Sequence, residues 1–269
     1  MIKIKMHAMY DHFPELTPTH RFEPHIDCYS DMHVFDCKGP GANIAMLLEP
    51  RSMIEKSYEF VYDHPEYFRY IFTHDSQLLS LPNARMLNWA DVWLTTDSEK
   101  NMGISLVTSP KDWCPLHHAR LELFEHFKRQ GPVDVFYGDW NNPDIQNIKP
   151  QDYLEHYKFS IIIENDIDDY WYTEKILNCF ATKTVPIYVG APKIGEIFNN
   201  DGIIEVKDWK KIPAVVEKLS HCDMDNIYYN IMSPAIEDNF NRVEPWKTPW
   251  KERFFRDYGD LLEDMIHGK

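Results

Sequence analysis

Tyr157-Lys-Phe-Ser-Ile-Ile-Ile-Glu-Asn-Asp166 is an apolar run that ends abruptly in polar residues. It lacks the alternation of a half-exposed strand, so its apolar core, Phe159-Ser-Ile-Ile-Ile163, reads as a strand buried on both faces. A helix is predicted over 172–181, and Val185-Pro-Ile-Tyr-Val189 reads as the next strand. Strand, helix and strand in this order make a βαβ unit, whose two strands run parallel.

The same alternation extends in both directions. Upstream, Ile104-Ser-Leu-Val-Thr-Ser109 reads as a strand, 116–129 as a helix with Leu121, Phe124 and Phe127 on one face, and Val133-Asp-Val-Phe-Tyr137 as a strand. Gln151 to Tyr157 reads as a short helix. Downstream, Gly202-Ile-Ile-Glu-Val206 reads as a strand and 210–219 as a helix. In the first hundred residues, strands are predicted at 2–10, 43–48, 70–73 and 92–95. Ser52 and Glu55 match a capping box that opens a helix reaching about Tyr62. A helical tail is expected over 234–267. The polar stretch Asp97-Ser-Glu-Lys-Asn-Met-Gly103 looks like a joint. The expected organisation is therefore two α/β domains, 1–100 and 101–245, facing a cleft, with 246–269 packing back on the first.

Composition narrows the partners. The 269 residues carry 43 acidic and 28 basic side chains, a net charge of −15, which argues against nucleic acid. At 43% hydrophobic and 14% aromatic the chain is globular, not an acidic disordered one. Five scattered cysteines, an odd number, form no disulfide framework and suggest a reducing compartment. His25, Cys28, His33 and Cys37 lie close together but lack a C-x2-C knuckle, so they read as solvated loop residues and not as a zinc site. No apolar stretch approaches the ~20 residues of a membrane span. The expected location is the cytoplasm, as for a bacterial or viral-type enzyme.

The chemistry concentrates around the end of the buried strand 159–163. Glu164 and Asn165 end the buried strand, and Thr173, Glu174 and Lys175 open the following helix. A helix start offers free amides and positive potential, which suit a diphosphate. Lys175 adds a mobile cation, and Glu174 can accept from the two hydroxyls of a ribose. Taken alone, these residues fit either a nucleotide or nucleotide-sugar site, or a capped helix with a surface Glu and Lys.

The order Tyr-Lys-Phe, apolar run, Glu-Asn, then Thr-Glu-Lys-Ile, then Val-Pro-Ile-Tyr and Gly-Ala-Pro resembles the donor half of the family 10 α-1,3/4-fucosyltransferases. The likeness is clear over 157–192 and looser over 102–206. It implies the two-domain α/β fold called GT-B, a GDP-fucose donor and a glycan acceptor. It also implies donor contacts from Ser109, Arg120, Asn165, Trp171, Glu174 and Lys175, with Arg120 gripping the diphosphate. No cofactor is implied; a divalent cation is expected at most to stimulate. The sequence departs from the family in reading Glu164-Asn165-Asp166 for Glu-Asn-Ser, and Trp171 for a donor-contacting tyrosine. Trp171 can stack but has no phenolic oxygen, which leaves the identity of the sugar donor open.

The resemblance further implies a base in the first domain. Glu49, in Leu48-Glu49-Pro50, follows a predicted strand and is assigned that role by position, with Asp75 and Asp97 as weaker alternatives. Asp166, Asp168 and Asp169 could suggest the D-x-D metal clamp of another glycosyltransferase class, but here they read as a solvated acidic loop. The function expected is inverting fucosyl transfer. Transfer from a different nucleotide sugar, and nucleotide or glycan binding without catalysis, remain as alternatives.

Overall fold

The computed structural model describes residues 2–19, 23–129, 131–139, 142 and 148–267. By its contacts the chain forms two compact units, Met1–Trp89 with Pro249–Lys269, and Ala90–Thr248.

In the first unit, strands β1 (Ile4–His7), β2 (Ile26–Ser30), β3 (Asn43–Met46), β4 (Tyr70–Thr73) and β5 (Ala84–Met86) pair in parallel in sequence order. Right-handed crossovers in such an order all fall on one face. The opposite face must be covered from elsewhere in the chain. On β3, Ala45 and the following Leu47 pack with Tyr58 and Val61 of helix α1 (Arg51–Asp63). Ile44, Met46 and Leu48 point the other way, against Phe254 and Leu262. Those two residues belong to the last helix of the chain, Trp250–His267.

The second unit holds β6 (Met102–Thr108), β7 (Val133–Tyr137), β8 (Tyr157–Ile163), β9 (Val185–Val189) and β10 (Ile204–Glu205), all parallel, in the order β10-β9-β8-β6-β7. Its helices are α2 (Pro115–Arg129), α3 (Pro150–Leu154), α4 (Glu174–Ala181), α5 (Ile212–Ser220), α6 (Met224–Asn226) and α7 (Ser233–Arg242); α8 is the Trp250–His267 helix of the first unit. All seven residues of β8 are buried. Phe159, Ile161 and Ile163 face one core and Ile162 the other, as expected of a strand covered on both sides. The chain leaves β6 towards β7 on one side and continues through β8, β9 and β10 on the other. Ligands of open α/β sheets bind at such a reversal, outside the carboxyl ends of the strands.

The structure bears out the α/β class with two parallel sheets and corrects several local expectations. Helix α1 starts at Arg51 behind Pro50, so Ser52 lies in its first turn and is not its N-cap. Residues 92–95 are not a strand: the Trp93 and Leu94 N–H groups donate to Asn178 Oδ1 (2.8 and 3.2 Å), not to a neighbouring strand. Tyr157 opens β8, so α3 ends earlier than expected, at Leu154. The helical tail is interrupted at Pro245 and Pro249, which cannot continue a helix. Cys28 and Cys37 are buried, not solvated: Cys28 lies within β2, a strand missed in the sequence, and Cys37 packs in the core with Tyr29, Val34 and Phe68. In the polar stretch 97–103, Lys100 is buried and donates to Leu154 O and Thr184 Oγ1 (2.8 and 2.9 Å).

Candidate functional site

The carboxyl end of β8 continues into Glu164, which is fully buried. Its Oε1 accepts the Thr173 N–H (2.9 Å) and its Oε2 accepts the Thr173 hydroxyl (2.8 Å). Thr173 is in turn the N-cap of α4, its Oγ1 accepting the Lys175 N–H. A buried carboxylate at a strand end thus fixes the start of the next helix. It also lies 3.4 Å from Lys175 Nζ, which donates to Thr173 Oγ1 at 3.0 Å and lies 3.6 Å from Glu174. Lys175, expected to be mobile, is held in place. Gly190, after β9, is what lets Glu164 fit: a Cβ there would collide with the Tyr188 hydroxyl and come within 2.7 Å of Glu164 Cγ.

Asn165 takes the next position. Its Oδ1 accepts from Arg120 Nη2 (2.6 Å) and lies 3.2 Å from His117 Nε2. The His117 Nδ1 accepts the Trp113 N–H at 3.1 Å, so in the neutral ring the proton sits on Nε2 and points to Asn165. Two donors on Oδ1 fix the orientation of the Asn165 amide. Cys114 Sγ donates to the Asn165 carbonyl at 3.2 Å. Burial, followed by the charge of Arg120, brings the His117 pKa down to about 4. Burial also lowers the pKa of Arg120, and the Glu164 carboxylate opposes the shift; a guanidinium stays charged throughout.

The structure therefore brings Arg120, Asn165, Glu174 and Lys175 to one strand edge. Ser109, just past β6 at the same end of the sheet, is half-buried. Trp171 is 2% exposed, so the ring expected to stack on a donor lies inside the protein. His117 was missed as a site residue, and Glu164 and Gly190 were read as parts of the motif without a role. His117 and Arg120 are three apart on α2, a same-face spacing that offered a signal for the first.

In the first unit, Glu49 is half-buried just beyond β3; its N–H donates to Asp31 Oδ1 (3.0 Å) and its carbonyl accepts the Tyr58 hydroxyl (2.7 Å). Asp75 is buried and ion-paired with Arg51 at 2.8 Å. Asp97 belongs to the second unit and pairs with Lys183 at 2.8 Å. In the acidic loop, Asp166 accepts the Ile167 N–H and Asp169 pairs with Lys193 at 2.9 Å. Among the described residues, no group of three or more His, Cys, Asp and Glu is placed to hold a metal ion. No described helix is long and apolar enough to cross a membrane.

Similarity to known proteins falls on this same half. Residues 98–232, half of the chain, match the family described as Glycosyltransferase family 10 (fucosyltransferase) C-term. Alpha-(1,3)-fucosyltransferase B of Drosophila melanogaster is 27% identical over 166 residues, 56% of this chain and 37% of that protein. Alpha-(1,3)-fucosyltransferase FucT of Helicobacter pylori is 30% identical over 76 residues, 28% of this chain and 16% of that protein. The matched part thus spans little more than a third of the first relative and less of the second. A solved α1,3-fucosyltransferase with GDP shares the fold, with a TM-score of 0.52 at 14% identity over 87% of this chain and 82% of that one. With two parallel α/β sheets of GT-B type and half its length matched, the chain belongs to glycosyltransferase family 10.

Proposed function

We propose that this chain is an inverting glycosyltransferase that moves fucose from GDP-fucose to a hydroxyl of an acceptor glycan. The observation that carries this reading is the assembly of Arg120, Asn165, Glu174 and Lys175 around the α4 N-terminus, at the sheet's strand-order reversal. The GDP held by the solved fucosyltransferase of the same fold supports the choice of nucleotide. Arg120, Lys175 and the first amides of α4 take the diphosphate, Glu174 takes the ribose, and Ser109, Asn165 and Trp171 complete the pocket. Burial of Trp171 leaves it a supporting role from within.

Glu49 takes the proton of the acceptor hydroxyl as its oxygen attacks the anomeric carbon. The bond from that carbon to the diphosphate breaks, and GDP departs with the bonding electrons. The transition state is oxocarbenium-like, and most of its stabilisation falls on the departing diphosphate. A single displacement turns a β-linked donor into an α-fucoside. Two fixed cations supply the countercharge, so no cofactor is needed and a divalent ion does no more than stimulate. Five scattered, unbridged cysteines support a reducing compartment and hence the cytoplasm.

Transfer should be tested with GDP-fucose and with other nucleotide sugars, reading product linkage by NMR. An α-fucoside is expected, and Glu49→Gln should lower turnover by about 10²–10⁴ while leaving the GDP dissociation constant unchanged. Product from UDP- or CMP-sugars alone would support the second reading, a different donor, which Trp171 in the tyrosine position permits.

A further inference from the structure

Among the described residues, two non-glycines adopt left-handed backbone, Asp31 at φ 51° and Lys183 at φ 57°. Asp31 directly follows β2, at the carboxyl edge of the first sheet. Aspartate tolerates this region when its short side chain is held by hydrogen bonds, and non-glycine residues kept there cluster at functional sites.

The Asp31 side chain is held by the end of the neighbouring strand. Its Oδ1 accepts the N–H groups of Leu48 (2.8 Å) and Glu49 (3.0 Å), and its Oδ2 accepts the Ser30 hydroxyl (3.1 Å). The register explains the need: pairing between β2 and β3 stops at Ser30 with Met46, and the Leu47 N–H goes to Phe72 O on β4. Beyond that point the sheet offers Leu48 and Glu49 no carbonyl from β2, and the carboxylate takes over. On the other side of Glu49, its carbonyl accepts the Tyr58 hydroxyl, which also lies 3.1 Å from His74 Nε2. Burial pushes the Asp31 carboxyl up, and the Glu49 and Leu48 amides draw it back.

We propose that Asp31 is a positioning residue that holds the Glu49 main chain so that its carboxylate meets the acceptor hydroxyl at a fixed angle. The inference rests on Glu49 as the base. Asp31 is not assigned that role itself, because Oδ1 is committed to two main-chain amides.

Two substitutions separate the backbone angle from the acceptor. Glycine adopts φ 51° freely but offers no oxygen; asparagine tolerates the angle and keeps Oδ1. Asp31→Gly is expected to lower kcat about 10²-fold, the effect of a small misplacement of a reacting group, with GDP affinity unchanged. Asp31→Asn should restore most of that loss. The double variant Asp31→Gly/Glu49→Gln should be no slower than Glu49→Gln alone, as for groups that act as one unit. Additive losses, or an Asp31→Asn as slow as Asp31→Gly, would overturn the proposal. Amide hydrogen exchange, which needs no activity, should accelerate at Leu48 and Glu49 in Asp31→Gly but not in Asp31→Asn. Unchanged exchange also overturns it; normal turnover in Glu49→Gln with accelerated exchange would instead overturn the base, and with it the catalytic purpose of the positioning, leaving Asp31 a main-chain acceptor only.

Discussion

His117 is 3% exposed and hydrogen-bonded as a neutral ring, with its pKa down at about 4. In an unfolded chain a histidine titrates near ~6.5. Between those two values the unfolded state binds a proton that the folded state refuses. The stability from this residue is therefore complete above about pH 6.5 and is lost as the pH falls towards 4, with a slope of at most about 1.4 kcal/mol per unit. Urea unfolding of wild type and His117→Gln across that window checks this. The variant should show the shallower dependence, and equal slopes would mean His117 does not titrate as described. Residues at this scale divide by the kind of signal they leave. The positions of Glu49 and Lys175, just past a strand and in the first turn of a helix, were legible in the sequence. Asp31 left no such trace, because its mark is a backbone angle and two amides seventeen and eighteen residues away.

Elements were legible where an unbroken apolar run marks them. Strands β8 and β9 are apolar throughout because both their faces are covered, and each was found in the sequence. Strand β2, Ile26-Asp-Cys-Tyr-Ser30, mixes polar residues into its pattern, and β5 is only three residues long. The 92–95 segment had a strand's composition, but its amides are satisfied by the Asn178 side chain, a partner 84 and 85 residues distant. Helix α8 makes the same point from packing. It covers the sheet face that the crossovers leave bare, and Phe254 is 2% exposed against Phe13, Phe72 and Tyr258. Phe254→Ala should destabilise the protein by about 3–5 kcal/mol, the range for a buried aromatic truncated in a core. A loss below about 0.5 kcal/mol by urea unfolding, the size of an ordinary surface change, would mean that α8 does not form this face of the core.

At the scale of the whole molecule, the proposed donor residues Ser109, Arg120, Asn165, Trp171, Glu174 and Lys175 all lie in the unit Ala90–Thr248, and Glu49 with Asp31 lies in the other. A ligand that binds only folded protein stabilises it by RT ln(1 + [L]/Kd), about 2.7 kcal/mol at a hundredfold excess over Kd. GDP should therefore raise the melting temperature, more than UDP or CMP do at the same concentration. Arg120→Ala and Lys175→Ala should remove the shift, because the chain carries a net charge of −15 and a diphosphate depends on these local cations. Asp31→Asn should leave it intact, having no part in the donor pocket. The same series tests the countercharge: with Arg120 and Lys175 in place, EDTA should leave the GDP shift and most of the turnover. If chelation abolished both and manganese restored them, a metal would be bridging the diphosphate, and Asp166 and Asp168 would become the side chains to substitute first.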